Sequence, residues 1–223
     1  MQKIAVYGAG GFGREVMVLI EHINAVNKQF EIDVFFDDKI ARGKCVNGYP
    51  VLGGIDDLNA WRDGLLGIAL AFGEPEVKRN IRYKIRNGHV FFPSLIHPSV
   101  LMGTASFVKI GEGCIICAGA LLTVNIVIGD FVILNLGCTV GHDVVIGEFA
   151  SFMPSVNISG EVLIGQGVYC GTGSKIINQL EIGEWTKVGA GAIVAKSLPA
   201  HCTAVGVPAR PIKFHEEKQE EHE

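Results

Sequence analysis

From Ile110 to Val194 every sixth residue is apolar, fifteen consecutive positions with no insertion and no slip. The series begins Ile110, Ile116, Leu122, Ile128 and ends Ile182, Val188, Val194, with Cys170 in one slot. In a chain that is 48% apolar, chance would fill only about seven of these positions. Glycine follows the apolar residue in eight cases (Gly111, Gly129, Gly141, Gly147, Gly165, Gly171, Gly183 and Gly189). A period of six fits neither an amphipathic helix nor an alternating strand. It is the hexapeptide signature of a parallel β-helix.

The residue two before each repeat position is also small or apolar, as in Val108, Cys114, Ala120, Ile126 and Val132. Two inward positions spaced by two make a short strand. The glycine that follows is expected to give the backbone its freedom to turn a corner. Three sides then close a triangular coil of about eighteen residues, and fifteen hexads make about five coils. At the usual strand spacing the prism would stand roughly 24 Å tall. Each coil buries its apolar side chains only by stacking on its neighbours, so the array has to be continuous.

Before the array, Lys3–Tyr7 reads as a short apolar strand, followed by Gly8-Ala-Gly10-Gly11-Phe12-Gly13. A helix is expected from Arg14 to about Asn24, with Val16, Ile20 and Ile23 on one face. A second strand, Ile32–Phe36, ends in Asp37-Asp38. Strand, glycine turn, helix, strand and acid is the dinucleotide-type phosphate cradle. Its glycines permit close backbone approach, and the helix N-terminus attracts phosphate. Asp37 and Asp38 are placed for a ribose or base contact. A third strand at Leu66–Phe72 and a helix from Pro75 to Asn87 complete this unit. About 95 residues make only half of a dinucleotide fold, which favours a mononucleotide-type ligand over NAD.

Formal net charge is −4, and the tail from His215 to Glu223 alone carries five glutamates against one lysine. That end reads as solvated and frayed. No basic patch points to nucleic acid, and no apolar run approaches a membrane span. Of six cysteines, Cys114 and Cys138 fall on inward positions of the repeat, and Cys114-Ile-Ile-Cys117 has no second pair to complete a zinc site. Buried reduced thiols, and no signal-peptide-like start, predict a cytoplasmic protein without a metal.

Inward positions of a packed prism are closed to substrates, so chemistry must sit on corners or outer faces. His142 follows the corner Gly141 and precedes Asp143. An imidazole held by a carboxylate suits general-base work near neutral pH. His97 precedes a proline and is expected to anchor the first coil. Beyond the array, Gly206-Val-Pro-Ala-Arg210-Pro-Ile-Lys213 reads as a terminating turn or as a basic lip. Lys187, Lys196, Arg210 and Lys213 are its candidates for phosphate contacts.

Taken in order, six segments carry a resemblance to a known family: Tyr7–Val16, Phe36–Asp38, Gly48–Gly53, Ile96–Ser99, Val140–Phe149 and Gly206–Arg210. Up to about residue 214 the chain resembles the NeuD/PglD family of sialic-acid O-acetyltransferases and nucleotide-amino-sugar N-acetyltransferases. The resemblance implies an α/β half-Rossmann domain (1–95), then a left-handed parallel β-helix of hexapeptide repeats (96–214), with 215–223 as the acidic tail. It implies acetyl-CoA as co-substrate and a homotrimer with sites between subunits. His142 matches the family's base and Asp143 its acid. The nucleotide loop matches Gly8, Gly10, Gly11, Phe12 and Gly13, with Asp37 and Asp38. Contacts to the acetyl-CoA arm match Gly160, Thr172 and Ala190, and Lys187 and Arg210 join them as candidates. Well-studied N-acetyltransferase members carry a second histidine nine residues after the base, near the thioester. Ser151 stands there in this chain, with a hydroxyl that can still donate.

The expected reaction is acetyl transfer from acetyl-CoA to the amino group of a UDP-linked 4-amino-deoxy-sugar in surface glycan synthesis. Its rivals are O-acetylation of a sialic acid or related sugar, a non-catalytic nucleotide-sugar binder, and a nicotinamide oxidoreductase suggested only by the glycine motif.

Overall fold

The computed structural model describes residues 1–104 and 106–216; of the expected acidic tail, residues 217–223 lie outside that part. The chain opens with β1 (Gln2–Tyr7), α1 (Gly11–Val26) and β2 (Phe30–Phe36). Next come a small hairpin, β3 (Cys45–Val46) and β4 (Tyr49–Pro50), and a short α2 (Ile55–Asn59). β5 (Leu66–Leu70), α3 (Pro75–Lys84) and β6 (Val90–Phe91) complete the unit. The sheet is parallel in the order β2-β1-β5-β6.

Two boundaries differ from the sequence expectation, each for a local reason. α1 begins at Gly11, inside the glycine loop, because the amide of Arg14 already donates to the carbonyl of Gly10. α3 stops at Lys84, short of Asn87. The Asn87 amide donates instead to the carbonyls of Leu58 and Trp61, and its Oδ1 accepts from the His89 N–H, a local alternative to the helix.

The remainder is a triangular prism of stacked parallel rungs. Face 1 runs from Leu95–Ile96 through Ile115–Ile116, Ile133–Leu134, Ser151–Phe152 and Tyr169–Cys170 to Lys187–Val188. Cys202–Val205 and an antiparallel strand, Arg210–Phe214, cap it. Face 2 carries six rungs from Leu101–Met102 to Ile193–Val194, and face 3 five from Val108–Ile110 to Glu181–Ile182. The inward column from Val108 to Ala209 forms one continuous apolar core.

Six rungs on face 2 mean one more coil than the hexad count gives. Leu95 pairs with Ile115 and Leu101 with Leu121, whereas Val108 pairs with Ile126. The first coil is therefore twenty residues long, with two extra residues between Met102 and Val108. That insertion breaks the period and hides the coil from a search for strict sixes.

The corners also differ from expectation. The glycine that follows each repeat residue does not supply the turn. Left-handed φ occurs three residues after the repeat residue, at Gly113, Gly119, Asn125, Phe131, Gly137, Asp143 and every sixth residue to Gly191. The post-repeat glycines serve clearance between coils instead. A Cβ on Gly141 would lie 2.6 Å from the amide nitrogen of Gly160, and one on Gly147 2.6 Å from that of Gln166.

The two units pack as one body. The outward residues Leu95, Ile115 and Ile133 of face 1, with Cys117, share a core cluster with Val16, Ile20 and Ile23 of α1. α3 lies along the corner between faces 3 and 1. There Phe131 and Phe149 stack with ring centroids 5.2 Å apart, and Arg79 sits 4.4 Å over Trp185. His97 does tie down the first coil: its Nδ1 accepts from Ser99 and its Nε2 lies 3.0 Å from Nδ1 of His22 on α1.

Candidate functional site

The first site is the cleft over the C-terminal ends of β2, β1 and β5, the usual ligand edge of a parallel sheet. Its volume is about 510 Å³, and Gly8, Gly10, Gly11, Phe12, Asp37 and Asp38 all line it. The glycines divide by role. Gly8 has φ +102°, and a Cβ on Gly13 would sit 1.8 Å from the Gly8 carbonyl, so both are demanded by the fold. A Cβ on Gly10 would meet nothing within 4 Å, which leaves that residue open to the cleft. α1 has no side-chain N-cap and no acidic residue in its first turn. Its N-terminal amides and positive dipole end are thus available to an anion.

Both acids are also tied into the fold, which the sequence did not reveal. Asp37 accepts from the N–H groups of Ala9 and Lys39, each at 2.8 Å. Asp38 accepts from the N–H of Ile55 at 2.9 Å and from the hydroxyl of Tyr7 at 2.8 Å. Burial and the Asp38 carboxylate push the Tyr7 phenol well above its ordinary range. Asp37 thereby fixes the glycine loop, and Asp38 fixes the start of α2.

The second site is the prism corner between faces 2 and 3. His142 is exposed there and Asp143 takes the left-handed corner conformation, φ +57°. His142 Nδ1 lies 2.8 Å from Asp143 Oδ2. The other carboxylate oxygen accepts from Asn125 Nδ2 at 2.9 Å, one coil below. The Asn125 hydrogen bond, then that of His142, holds the Asp143 carboxyl below its usual range. The ionised carboxylate accepts a hydrogen bond from Nδ1–H, which leaves the lone pair on Nε2. One coil above, Gly160 makes room for the ring: a Cβ there would fall 2.5 Å from Nε2.

The sequence-derived co-substrate residues divide between two places. Thr172 and Ala190 stack on the corner between faces 1 and 2, where the Gly191 amide donates to the Thr172 carbonyl at 2.9 Å. Gly160 lies on the His142 corner. These two corners border face 2, whose outward side carries Thr139, Asn157 and Lys175. Arg210 and Lys213 are exposed at the top of the prism, as is Lys196.

One assignment is corrected, and a second residue stands apart from those corners. Ser151 is fully buried on face 1 and its hydroxyl accepts from Lys78 Nζ at 2.9 Å, so it offers no surface to a thioester in this chain. Lys187 also points from face 1 toward the N-terminal unit, where it forms an ion pair with Glu74. Both follow from α3 docking on that face. Its N-cap Glu74 and its residues Lys78 and Arg82, spaced by four, meet Lys187, Ser151 and Glu112.

Comparison with known proteins bears on this geometry. The PglD N-terminal domain profile matches residues 3–85. The acetyltransferase domain of PglB from Neisseria gonorrhoeae FA1090 is 33% identical with a TM-score of 0.85, over 95% of this chain and 100% of that one. WeeI from Acinetobacter baumannii AYE is 34% identical, TM-score 0.84, over 95% and 100%. The chain belongs to the NeuD/PglD family of left-handed β-helix acetyltransferases. A histidine-to-asparagine variant of perosamine N-acetyltransferase from Caulobacter crescentus, in complex with CoA and GDP-perosamine, is 29% identical with a TM-score of 0.84, over 97% and 98%. A sequence comparison with curated proteins finds no match.

Within this NeuD/PglD-type chain, sequence reasoning missed Asn125, Glu74 and Lys78. Asn125 carried a usable signal, because eighteen residues separate it from Asp143 and a coil is eighteen residues long. Among the described residues, no group of three or more His, Cys, Asp or Glu is arranged to hold a metal ion, and no helix is long and apolar enough to cross a membrane.

Proposed function

We propose that this acetyltransferase moves the acetyl group of acetyl-CoA to the amine of a nucleotide-linked 4-amino-deoxy-sugar, with UDP as the nucleotide, in surface glycan synthesis. The N-terminal cleft holds the nucleotide and His142 is the general base. The observation that carries this reading is the hydrogen-bonded chain Asn125–Asp143–His142 on an open corner. It fixes one imidazole through Nδ1 and leaves Nε2 as the basic nitrogen, the arrangement needed to take a proton from an attacking amine. The perosamine enzyme and PglB support the class of reaction, the first by its GDP-perosamine complex and the second by a complex with acetyl coenzyme A.

The amine nitrogen attacks the thioester carbonyl carbon, and its proton passes to Nε2 of His142. The carbon–sulfur bond then breaks, and the imidazolium returns the proton to the departing thiolate. A backbone N–H of the prism turn stabilises the oxyanion, worth about 3 kcal/mol for such a donor. An acetyl-cysteine intermediate is disfavoured. Burial pushes the thiols of Cys114 and Cys138 up to about 11 and that of Cys117 up to about 12, so none supplies a thiolate near neutral pH.

A single chain cannot complete the site. The cleft belongs to the unit docked on face 1, while His142 lies on the corner opposite that face. A three-fold ring of chains would bring one cleft to a neighbour's corner. Val127, Val145 and Leu163, 43%, 43% and 50% exposed, form an apolar stripe on face 3 suited to burial against a neighbour. The homotrimer is thus part of the proposal. So is a cytoplasmic location, supported by six cysteines that all stand as free thiols.

The test is thiol release from acetyl-CoA with UDP-, GDP- and dTDP-linked amino-sugars, wild type against His142→Ala. Turnover should fall by at least ~100-fold while nucleotide binding is kept. Retained turnover in His142→Ala would remove the base assignment.

A further inference from the structure

The cleft has a direction. Asp37 and Asp38 stand at its β2 end, the loop Gly8–Gly13 at its middle on β1, and Phe72, Gly73 and Glu74 at its β5 end. A nucleotide whose ribose or base meets the acids and whose diphosphate meets the α1 N-terminus extends its sugar toward β5. There the unit touches the prism: a Cβ on Gly73 would lie 3.5 Å from Met153 Cε, and Glu74 pairs with Lys187 of face 1.

Glu74 differs from the other cleft carboxylates. Asp37 and Asp38 are engaged by backbone N–H groups, whereas Glu74 occupies the N-cap of α3 without using its side chain as a cap. Glu74 lines the cleft, and the Glu74 and Lys187 side chains are 41% and 37% exposed, so both keep hydrogen-bonding capacity at its β5 end. Tyr169 lies one rung below Lys187 on the same face, with burial and the Glu74 charge pushing its phenol up.

We propose that the Glu74–Lys187 pair reads the sugar. The carboxylate accepts from a hydroxyl or amino substituent of the hexose, and the ammonium donates to an adjacent ring-substituent oxygen. The substrate class is then an amino-hexose that keeps at least one further polar substituent beside its amine. This rests on the nucleotide-sugar reading of the cleft. It moves Lys187 from the acetyl-CoA side of the reaction to the acceptor side.

The experiment separates the sugar's share of binding from the nucleotide's. Equilibrium affinity is measured for UDP and UDP-N-acetylglucosamine, with GDP against GDP-mannose and dTDP against dTDP-glucose in parallel. Wild type is compared with Glu74→Gln and Lys187→Met, and acetyl-CoA is titrated against each. The expected result is that the sugar increases affinity in wild type. Both variants should lose that increase, about tenfold, with affinity for the bare nucleotide and for acetyl-CoA within twofold of wild type. An unchanged sugar increment overturns the proposal and leaves the pair as a clamp between the two units, visible as a lowered melting temperature. Weakened acetyl-CoA binding in Lys187→Met overturns it in favour of the donor side. Failure of wild type to bind any of the nucleotides overturns the parent reading as well, and is distinct from failure of the pair alone.

Discussion

Lys78 is 1% exposed, and among the described residues its ammonium has the Ser151 hydroxyl at 2.9 Å and the Ala150 carbonyl at 3.5 Å as hydrogen-bond partners. Burial lowers its pKa from 10.5 to about 7. Between these two values the unfolded chain holds a proton that the folded chain has released, so stability rises with pH across the window from about 7 to about 10.5. Below it both states are protonated, and the folded state carries the full cost of the buried charge, on the order of 5 kcal/mol at 1.36 kcal/mol per pKa unit. By the same relation, the penalty shrinks by about 2 kcal/mol between pH 7 and pH 9.

The test is the double variant Lys78→Met with Ser151→Ala. Methionine keeps the length and volume of the lysine stem. Removing both partners leaves no buried hydroxyl without a donor, which Lys78→Met alone would do at a cost of ~1–3 kcal/mol. After subtracting about 1 kcal/mol for the lost hydrogen bond, the double variant should be about 3 kcal/mol more stable than wild type at pH 7. The advantage should shrink to about 1 kcal/mol at pH 9. The assay is urea unfolding at both pH values and one fixed protein concentration, since assembly would otherwise shift the midpoint. Parallel stability curves for the two proteins would refute a deprotonating Lys78, because groups elsewhere titrate alike in both.

Two further outcomes follow from steric clearances. Gly160→Ala drives a methyl carbon to 2.5 Å from the His142 ring, so turnover should fall ~100-fold through a displaced base while the melting temperature stays close to wild type. Gly10→Ala, facing open cleft, should weaken nucleotide binding without changing stability, whereas Gly13→Ala, whose Cβ would sit 1.8 Å from the Gly8 carbonyl, should cost several kcal/mol, about 3 or more, in thermal or urea unfolding.

The prism was legible because its rule is local: residues six apart meet the same environment whatever lies elsewhere. The same property explains what was not legible. A two-residue insertion after Met102 left the first coil out of phase. The corner role went to glycine by propensity, yet Phe131, Phe149, Glu161, Gln179 and Trp185 all hold left-handed corners. Each such residue costs about 1–2 kcal/mol in isolation. The stack repays it with bonds that exist only between coils, such as the amides of Phe131, Phe149 and Trp185 donating at 2.8 Å to Glu112, Asp130 and Gln166.

At the candidate sites, likewise, the residues themselves were legible but their partners were not. His142 and Asp143 are adjacent in sequence, so their pairing could be read directly. Asn125 lay one coil away and could be reached only by adding eighteen. Lys78 and Glu74 meet Ser151 and Lys187 across 73 and 113 residues, with no period linking the two units. The outward residues of face 1 hold the remaining clue. They pass from Leu95, Ile115 and Ile133 to Ser151, Tyr169 and Lys187, apolar under α1 and polar toward the cleft. A freely solvated face has no reason to bury its lower rungs and charge its upper one. That gradient marks where cover of the face passes from the apolar side of α1 to Lys78 of α3 and its N-cap Glu74, beside the cleft.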